Sequence, residues 1–289
     1  MDSRNISNKV KHLHFSSRKL VDTIFAGNYH SVFKGPGLEF DEVREYSWGD
    51  DPRFIDWNVT SRMSEPYTKT FREEREVVLQ VLVDTSSSLF YSSGKINKRE
   101  LAGHVFTLLA LAAVANNDKV GCLLFSDKIE EQIPARKGKK HVLKQITQIL
   151  SVEEGGGGSN LALALSTASQ TMKRRGICMI LSDFRTSHYK KELSLLARKH
   201  DVIAVRLTDP LDHEFPPSGL ISLEDPESGL QWHGVGTKKM RASYREFWDH
   251  ERYLWRKNCQ AAGVDTLEIS TEEDPAVKLL HFFERRKSR

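Results

Sequence analysis

The feature that constrains this chain most is an apolar run that ends in a cluster of oxygen-bearing side chains. Residues 77–83 are almost continuously apolar, which is typical of a central parallel strand buried on both faces. The segment Asp84-Thr85-Ser86-Ser87-Ser88 follows directly. Its alternating positions allow a tight loop to turn the oxygens of Asp84, Ser86 and Ser88 inward. Since ligands of open α/β sheets bind outside the carboxyl ends of the strands, we expect a ligand site here.

The chain beyond this run alternates between strand-like and helix-like patterns. We predict strands at residues 119–125, 129–133, 177–181, 202–207 and 264–269, and helices at about 98–116, 139–150, 160–173, 189–199, 240–262 and 275–285. Such alternation indicates an α/β domain over residues 76–289, with a mostly parallel central sheet and helices on both faces. A hairpin insertion is expected near residues 208–240.

The first 75 residues differ from the rest, with a predicted helix at about 9–27 and an irregular arm after it. The arm is rich in large apolar side chains, each worth about 2 kcal/mol when buried. These side chains are Phe33, Phe40, Tyr46, Trp48, Phe54, Ile55, Trp57 and Tyr67. We therefore expect residues 28–72 to fold onto the α/β domain. Asp50, Arg53 and Asp56 are interpreted as a structural charge network that ties the arm down, although they could in principle be catalytic.

Composition narrows the class of protein. The net charge is +4 and the basic residues are scattered among acidic ones, so we expect no nucleic-acid partner. Three cysteines without metal-ligand spacing indicate a reducing compartment. The N-terminus lacks the apolar core of a signal peptide, and the longest apolar run is too short to span a bilayer. We therefore expect a cytoplasmic protein without a transmembrane segment.

Two further polar residues should reach the edge of the sheet at which Asp84 lies. Ser159 follows a run of glycines, and Asp183 follows the predicted strand 177–181. The full candidate set is Asp84, Ser86, Ser88, Ser159 and Asp183. Two carboxylates and three hydroxyls can build an octahedral site for Mg²⁺, or for another divalent cation such as Mn²⁺. The alternative is that these are loop residues bonded to their own backbone, and the five residues alone leave both open.

The pattern Asp-x-Ser-x-Ser, a later hydroxyl after glycines and an Asp after a further strand resembles the metal-ion-dependent adhesion site (MIDAS) of von Willebrand A domains. The resemblance implies a Rossmann-like fold and a cation that binds a carboxylate of a partner protein. That family usually has Thr where this chain has Ser159, which keeps the oxygen but lacks the methyl group that stiffens the rotamer.

The arm carries a second pattern, which resembles the prokaryotic domain-of-unknown-function family fifty-eight. The matching residues are Gly37-Leu38-Glu39-Phe40, Arg44, Tyr46, Gly49-Asp50, Arg53, Ile55-Asp56-Trp57 and Ser61-Arg62, with Ser61 where the family more often has Ala. Members of that family join such an arm to a von Willebrand A-like domain and are commonly encoded beside a MoxR-type AAA+ ATPase. The resemblance implies that the chain is a partner or adaptor of such an ATPase, or binds its client.

Enzymatic motifs are weak in this chain. Asp84-Thr85-Ser86 lacks the Gly and the second carboxylate of aspartic proteases, and Gly155 to Gly158 is not followed by the Lys of a phosphate-binding loop. We expect a binding protein rather than an enzyme. The alternative is a hydrolase that uses the same cation to activate water, with Asp127 as the candidate general base.

Overall fold

A computed structural model describes residues 38–63, 65–73, 77–152, 157–215, 220–224, 231–235 and 237–287. The predicted helix at residues 9–27 and the start of the arm lie outside the described residues. Those that are described form two compact units, one before residue 77 and one from Val77 onward. The expected packing of the arm on the α/β domain stays a prediction.

The smaller unit contains an antiparallel pair of strands. Its elements are β1 (Leu38–Glu45), a 3₁₀ turn (Pro52–Phe54), α1 (Trp57–Thr60) and β2 (Tyr67–Glu73). Between residues 42 and 63 most side chains are exposed or half-buried, including those of Trp48 and Trp57. Among residues 42–45 and 67–70 of these strands only Thr68 is buried. Strands with so little described burial need no alternation of apolar residues, and the sequence did not predict them.

Ion pairs tie the smaller unit together internally. The pairs are Arg44–Asp50 (2.7 Å), Arg53–Asp51 (2.6 Å) and Lys69–Asp56 (3.2 Å). Asp56 also caps α1, accepting hydrogen bonds from the backbone amides of Asn58 and Val59. These contacts agree with the structural role predicted for Asp50, Arg53 and Asp56.

The larger unit is an α/β domain whose elements follow the predicted order. Its strands are β3 (Val78–Asp84), β4 (Lys119–Phe125), β5 (Ile129–Arg136), β6 (Ile177–Ser182), β7 (Asp201–Thr208), β8 (Leu220–Glu224), β9 (Gln231–Val235) and β10 (Asp265–Ser270). Its helices are α2 (Lys98–Ala115), α3 (Lys139–Ser151), α4 (Leu161–Thr171), α5 (Lys190–Lys199), α6 (Lys238–Ala262) and α7 (Pro275–Lys287). Strands β8 and β9 pair antiparallel, as predicted for the hairpin insertion, whose residues 225–230 lie outside the described part.

The main sheet has the strand order β10-β7-β6-β3-β4-β5, and β5 alone among these strands runs antiparallel to its neighbour. Counted from β3, the chain first builds outward to β4 and β5 and then returns to place β6 on the other side of β3. The order is that of a doubly wound sheet, whose crevice lies where the strand order reverses. The predicted fold class, a mostly parallel sheet in an α/β domain, is confirmed.

Helices cover both faces of this sheet. Val81 and Val83 of β3 lie in the core with α2, α3 and α7, while Leu82 faces the core with α4, α5 and α6. Strand β3 is therefore buried on both sides, as its continuous apolar sequence predicts. No helix within the described ranges is long and apolar enough to cross a membrane.

Candidate metal centre

The strand register brings two polar strand ends together at the crevice. Val83 of β3 lies opposite Leu181 of β6, so the next residues, Asp84 and Ser182, end neighbouring parallel strands at the same edge. Asp183 follows immediately. The carboxyl ends of β3 and β6 lie where the strand order reverses, which is where a ligand site is expected.

The Asp84 carboxylate accepts hydrogen bonds from three parts of the chain. Its Oδ1 accepts from the backbone amide of Ser86 at 2.9 Å. Its Oδ2 accepts from Ser159 Oγ at 2.8 Å and from Ser182 Oγ at 2.6 Å. Ser86 Oγ lies 3.3 Å from Ser88 Oγ. The structure thus connects four of the five predicted residues, and the bonds from Ser159 and Ser182 are not local loop bonds.

Neighbouring polar side chains fix the three loops of the site, which follow β3, precede α4 and follow β6. The bonds run from Thr85 Oγ1 to the Phe125 carbonyl (2.9 Å), from Ser87 Oγ to the Gly157 carbonyl (3.0 Å) and from Thr186 Oγ1 to the Ser159 carbonyl (2.8 Å). Asn160 caps α4 by accepting from the backbone amide of Leu163 at 3.1 Å. Because Asn160 is the cap, the hydroxyl of Ser159 is available to Asp84.

Asp183 reaches the same edge but has different partners. Its Oδ2 accepts a hydrogen bond from Lys98 Nζ at 2.8 Å, and its Oδ1 accepts from the backbone amide of Arg185 at 3.2 Å. Lys98 is the first residue of α2, and its side chain is 1% exposed. The structure therefore places Asp183 beside the other four predicted residues while its carboxylate forms a buried ion pair.

The two carboxylates have opposite pKa shifts. Burial, followed by the negative charge of Asp183, raises the pKa of Asp84 to about 6, although the bonds from Ser182 and Ser86 oppose this shift. Burial would also raise the pKa of Asp183, but the positive charges of Lys98 and Arg185 outweigh it and hold that pKa below its usual value. Asp84 is thus a buried acid without a compensating cation, and Asp183 is a compensated one.

The residues around Asp84 fit a hard divalent cation. A carboxylate and hydroxyl oxygens are the ligands that Mg²⁺ and Mn²⁺ prefer, and Asp84 makes no ion pair with any residue that the structure describes. Ser159 is half-buried, whereas the other four predicted residues are buried. No group of three His, Cys, Asp or Glu side chains is placed to hold a metal within the described ranges. A site here would therefore depend on hydroxyls as well as carboxylates.

The loop after Asp183 has an unusual backbone that packing maintains. Phe184 and His188 have positive φ angles of 57° and 64°, a conformation that costs about 1 kcal/mol or more in residues other than glycine. The Phe184 ring packs on Tyr189 and Trp255, with centroid distances of 6.0 and 5.6 Å. These aromatic contacts hold the loop that carries Asp183.

Residues of that loop line a cavity of about 630 Å³. Phe184, Thr186, His188 and Trp255 contribute to its wall, and none of the five predicted site residues lines it. The cavity therefore neighbours the candidate metal centre through Phe184 and Thr186 but does not include it.

Sequence reasoning missed two important residues of this centre. Ser182 could have been found by extending the predicted strand by one residue, because its parallel register sets it beside Asp84. Lys98 carries no such signal. In the sequence it is an ordinary basic residue at the start of a helix, and only the tertiary structure shows it buried against Asp183.

The strand order and the helices on both faces of the sheet are those of a von Willebrand A-like domain, a fold that often binds metal and mediates protein interactions. The family described as "Protein of unknown function DUF58" matches residues 42–253. The chain belongs to this family, as the motif in its arm predicted.

The chain is also similar to the following proteins. An uncharacterized protein of Mycobacterium tuberculosis is 26% identical over 290 residues, covering 99% of this chain and 92% of the relative. A von Willebrand factor type A structure from Catenulispora acidiphila is 11% identical with a TM-score of 0.42, covering 76% of this chain and 43% of that one. An aerotolerance-related membrane protein from Bacteroides fragilis is 13% identical with a TM-score of 0.49, covering 73% and 98% respectively.

Proposed function

We propose that this protein is a divalent-cation-dependent protein-binding module. Asp84, Ser86, Ser88 and Ser159 would hold the cation, and Asp183 would add negative charge beside it. The observation that carries the proposal is the Asp84 carboxylate, which is fully buried and accepts hydrogen bonds from the hydroxyls of Ser159 and Ser182, both distant in the chain. A buried carboxylate without an ion pair is costly, and a bound cation would offset that cost.

The residues of the chain would prepare this site for a partner. Asp84 and the hydroxyls would fix the cation at the crevice, and the bound cation would supply a position that accepts a carboxylate oxygen of the partner protein. The bonds from Thr85, Ser87 and Thr186 to backbone carbonyls would keep the loops from moving apart when the partner binds.

We further propose that the partner is a MoxR-type AAA+ ATPase or its client, and that the protein acts in the cytoplasm without catalysing a reaction. Family membership supports the first part, since the family motif implied that association. The three cysteines are free and buried, which suits a reducing compartment. The scattered charges give no support for a nucleic-acid partner.

Binding is favoured over metal-dependent hydrolysis by the surroundings of Asp127. This residue follows β4 at the same edge of the sheet, but its carboxylate is exposed and accepts a hydrogen bond from Ser126 Oγ at 3.0 Å. An exposed carboxylate is poorly placed to act as a general base, because such a base must be held within hydrogen-bond reach of the proton that it removes.

Thermal unfolding with chelator and with excess Mg²⁺ tests the cation site. At a hundred times its Kd, Mg²⁺ should stabilise the wild type by about 2.7 kcal/mol, and Asp84→Ala should lose this gain while remaining folded. Asp127→Ala is the matched control, since it removes a carboxylate from the same edge and should keep the Mg²⁺ response. Equal responses of the wild type and Asp84→Ala would place any bound cation elsewhere and reject the proposal.

The proposed partner can be tested by affinity capture from native cells. Wild-type protein with Mg²⁺ should retain a MoxR-type ATPase or its client, and chelator or Asp84→Ala should release it. Capture that is the same under all three conditions would show that binding does not depend on the cation site.

A further inference from the structure

Lys98 is a buried cation beside the candidate metal centre. Its Nζ lies 2.8 Å from Asp183 Oδ2 and 3.4 Å from Asp212 Oδ2, and the three side chains are at least nine-tenths buried. Asp212 ends the short 3₁₀ turn Pro210–Asp212 that follows β7. Lys98 therefore connects the loop after β6 with the loop after β7.

The position of Lys98 is unfavourable for a lysine on two counts. Removing an ammonium from water costs several kcal/mol, and the amino end of a helix carries a partial positive charge that disfavours cations. Lys98 is the first residue of α2, directly after the cap Asn97. Since neither helix formation nor apolar packing favours an ammonium here, its carboxylate partners must hold it.

Among the buried carboxylates around the site, Asp84 is the one whose negative charge no nearby protein cation compensates within the described part of the chain. Lys98 pairs with Asp183, and Arg185 Nη2 lies 2.9 Å from Asp212 Oδ1. Arg206 on β7 faces Glu268, its register neighbour on β10. Each of these carboxylates thus has a protein cation nearby, whereas Asp84 has hydroxyl and amide donors.

We propose that Lys98 is the residue that sets the cation affinity of this site, as a built-in competitor for Asp183. The Lys98 ammonium is already bonded to Asp183. A divalent ion at Asp84 would be attracted by the charge of Asp183 but repelled by this ammonium, because like charges at short range repel. Lys98 thus weakens the binding of the divalent ion and leaves Asp183 to act by its charge. This inference rests on the proposed function, since it concerns the affinity of the same site.

Calorimetric titration with Mn²⁺ and Mg²⁺ of wild type, Lys98→Met and Lys98→Arg tests the competition. Met keeps the length of the side chain and removes the charge, so Lys98→Met should bind at least about tenfold more tightly. Lys98→Arg keeps the charge and should bind about as weakly as the wild type. In thermal melts, the metal-induced shift of Lys98→Met should exceed that of the wild type.

Lys98→Met leaves Arg185 as the remaining described cation for the buried carboxylates of Asp183 and Asp212, so the variant can fail to fold. Lys98→Met with Asp212→Asn removes one charge of each sign and should also bind more tightly than the wild type. Unchanged or weaker binding by the folded variants would overturn the role of Lys98. That outcome differs from failure of the proposed function, in which the wild type and Asp84→Ala respond equally to Mg²⁺. Cation binding by the Lys98 variants alone would support the competition and reject cation dependence of the native protein.

Discussion

Asp84 and Asp183 are two buried carboxylates at the same sheet edge, yet only Asp183 is paired with a cation among the residues that the structure describes. Asp84 accepts hydrogen bonds from Ser86, Ser159 and Ser182. Asp183 forms an ion pair with the ammonium of Lys98. The pKa of Asp84 rises to about 6, while that of Asp183 falls below its usual value.

The difference shows that sequence position alone does not decide the role of a strand-end aspartate. Hydroxyls can rotate and act as acceptors as well as donors, so they can turn their lone pairs to a cation that binds beside Asp84. An ammonium has only donors, and it must leave before another cation takes its place. The Asp84 side is therefore suited to exchange a cation, and the Asp183 side is suited to keep one.

The largest expected effect is a difference in the free energy of unfolding between variants of Asp183 and Asp84. In chelator at pH 7.5, Asp183→Asn should lower the free energy of unfolding by about 3 kcal/mol or more, because it removes a partner from a buried ammonium. Asp84→Asn should cost little or even stabilise, because it removes an unpaired buried charge. Urea unfolding of both variants measures the difference. Equal losses would contradict the asymmetry between the two residues.

A second effect concerns the pH dependence of stability without metal. Because the folded state raises the pKa of Asp84 from 3.8 to about 6, its contribution is fully present below pH 3.8 and is lost as the pH rises through 6. Asp84→Asn cannot lose this contribution. Its free energy of unfolding relative to the wild type should therefore increase as the pH rises from about 4 to above 6, by about 3 kcal/mol at most.

Urea unfolding of wild type and Asp84→Asn at several pH values between 4 and 7.5 provides the measurement. Asp127→Asn is a suitable control, since Asp127 is exposed at the same edge. Parallel curves for the wild type and Asp84→Asn would mean that the folded state does not hold a proton on Asp84 more tightly than the unfolded chain does.

The smallest effect compares the two hydroxyls that share Asp84 Oδ2. Ser182 is fully buried, so Ser182→Ala leaves the carboxylate short of a donor and should cost about 1 to 2 kcal/mol. Ser159 is half-buried, and water can replace its bond, so Ser159→Ala should cost less than about 1 kcal/mol. Chemical denaturation in chelator measures the loss of unfolding free energy for each variant. A larger loss in Ser159→Ala than in Ser182→Ala would contradict this prediction.

Much of the α/β domain could be predicted because its central strands, β3, β4, β6 and β7, are buried on both faces. Their apolar runs, as at Val81 to Val83, leave a continuous signal that needs no knowledge of neighbours. The paired strands β1 and β2 gave no such signal, since among their residues 42–45 and 67–70 only Thr68 is buried. The placement of the arm on the domain stays a prediction.

For the candidate site, the sequence by itself determined the residue types and their place after strands. Asp84, Ser86 and Ser88 follow one strand, and parallel strands end at a common edge, so convergence with Ser159 and Asp183 could be expected. What only the tertiary structure decided is the partner of each carboxylate. Ser182 bonds Asp84 because two strands pair in register, and Lys98 reaches Asp183 from a helix 85 residues away in the chain. Charge compensation depends on distances across the fold, and no local pattern in the sequence encodes them.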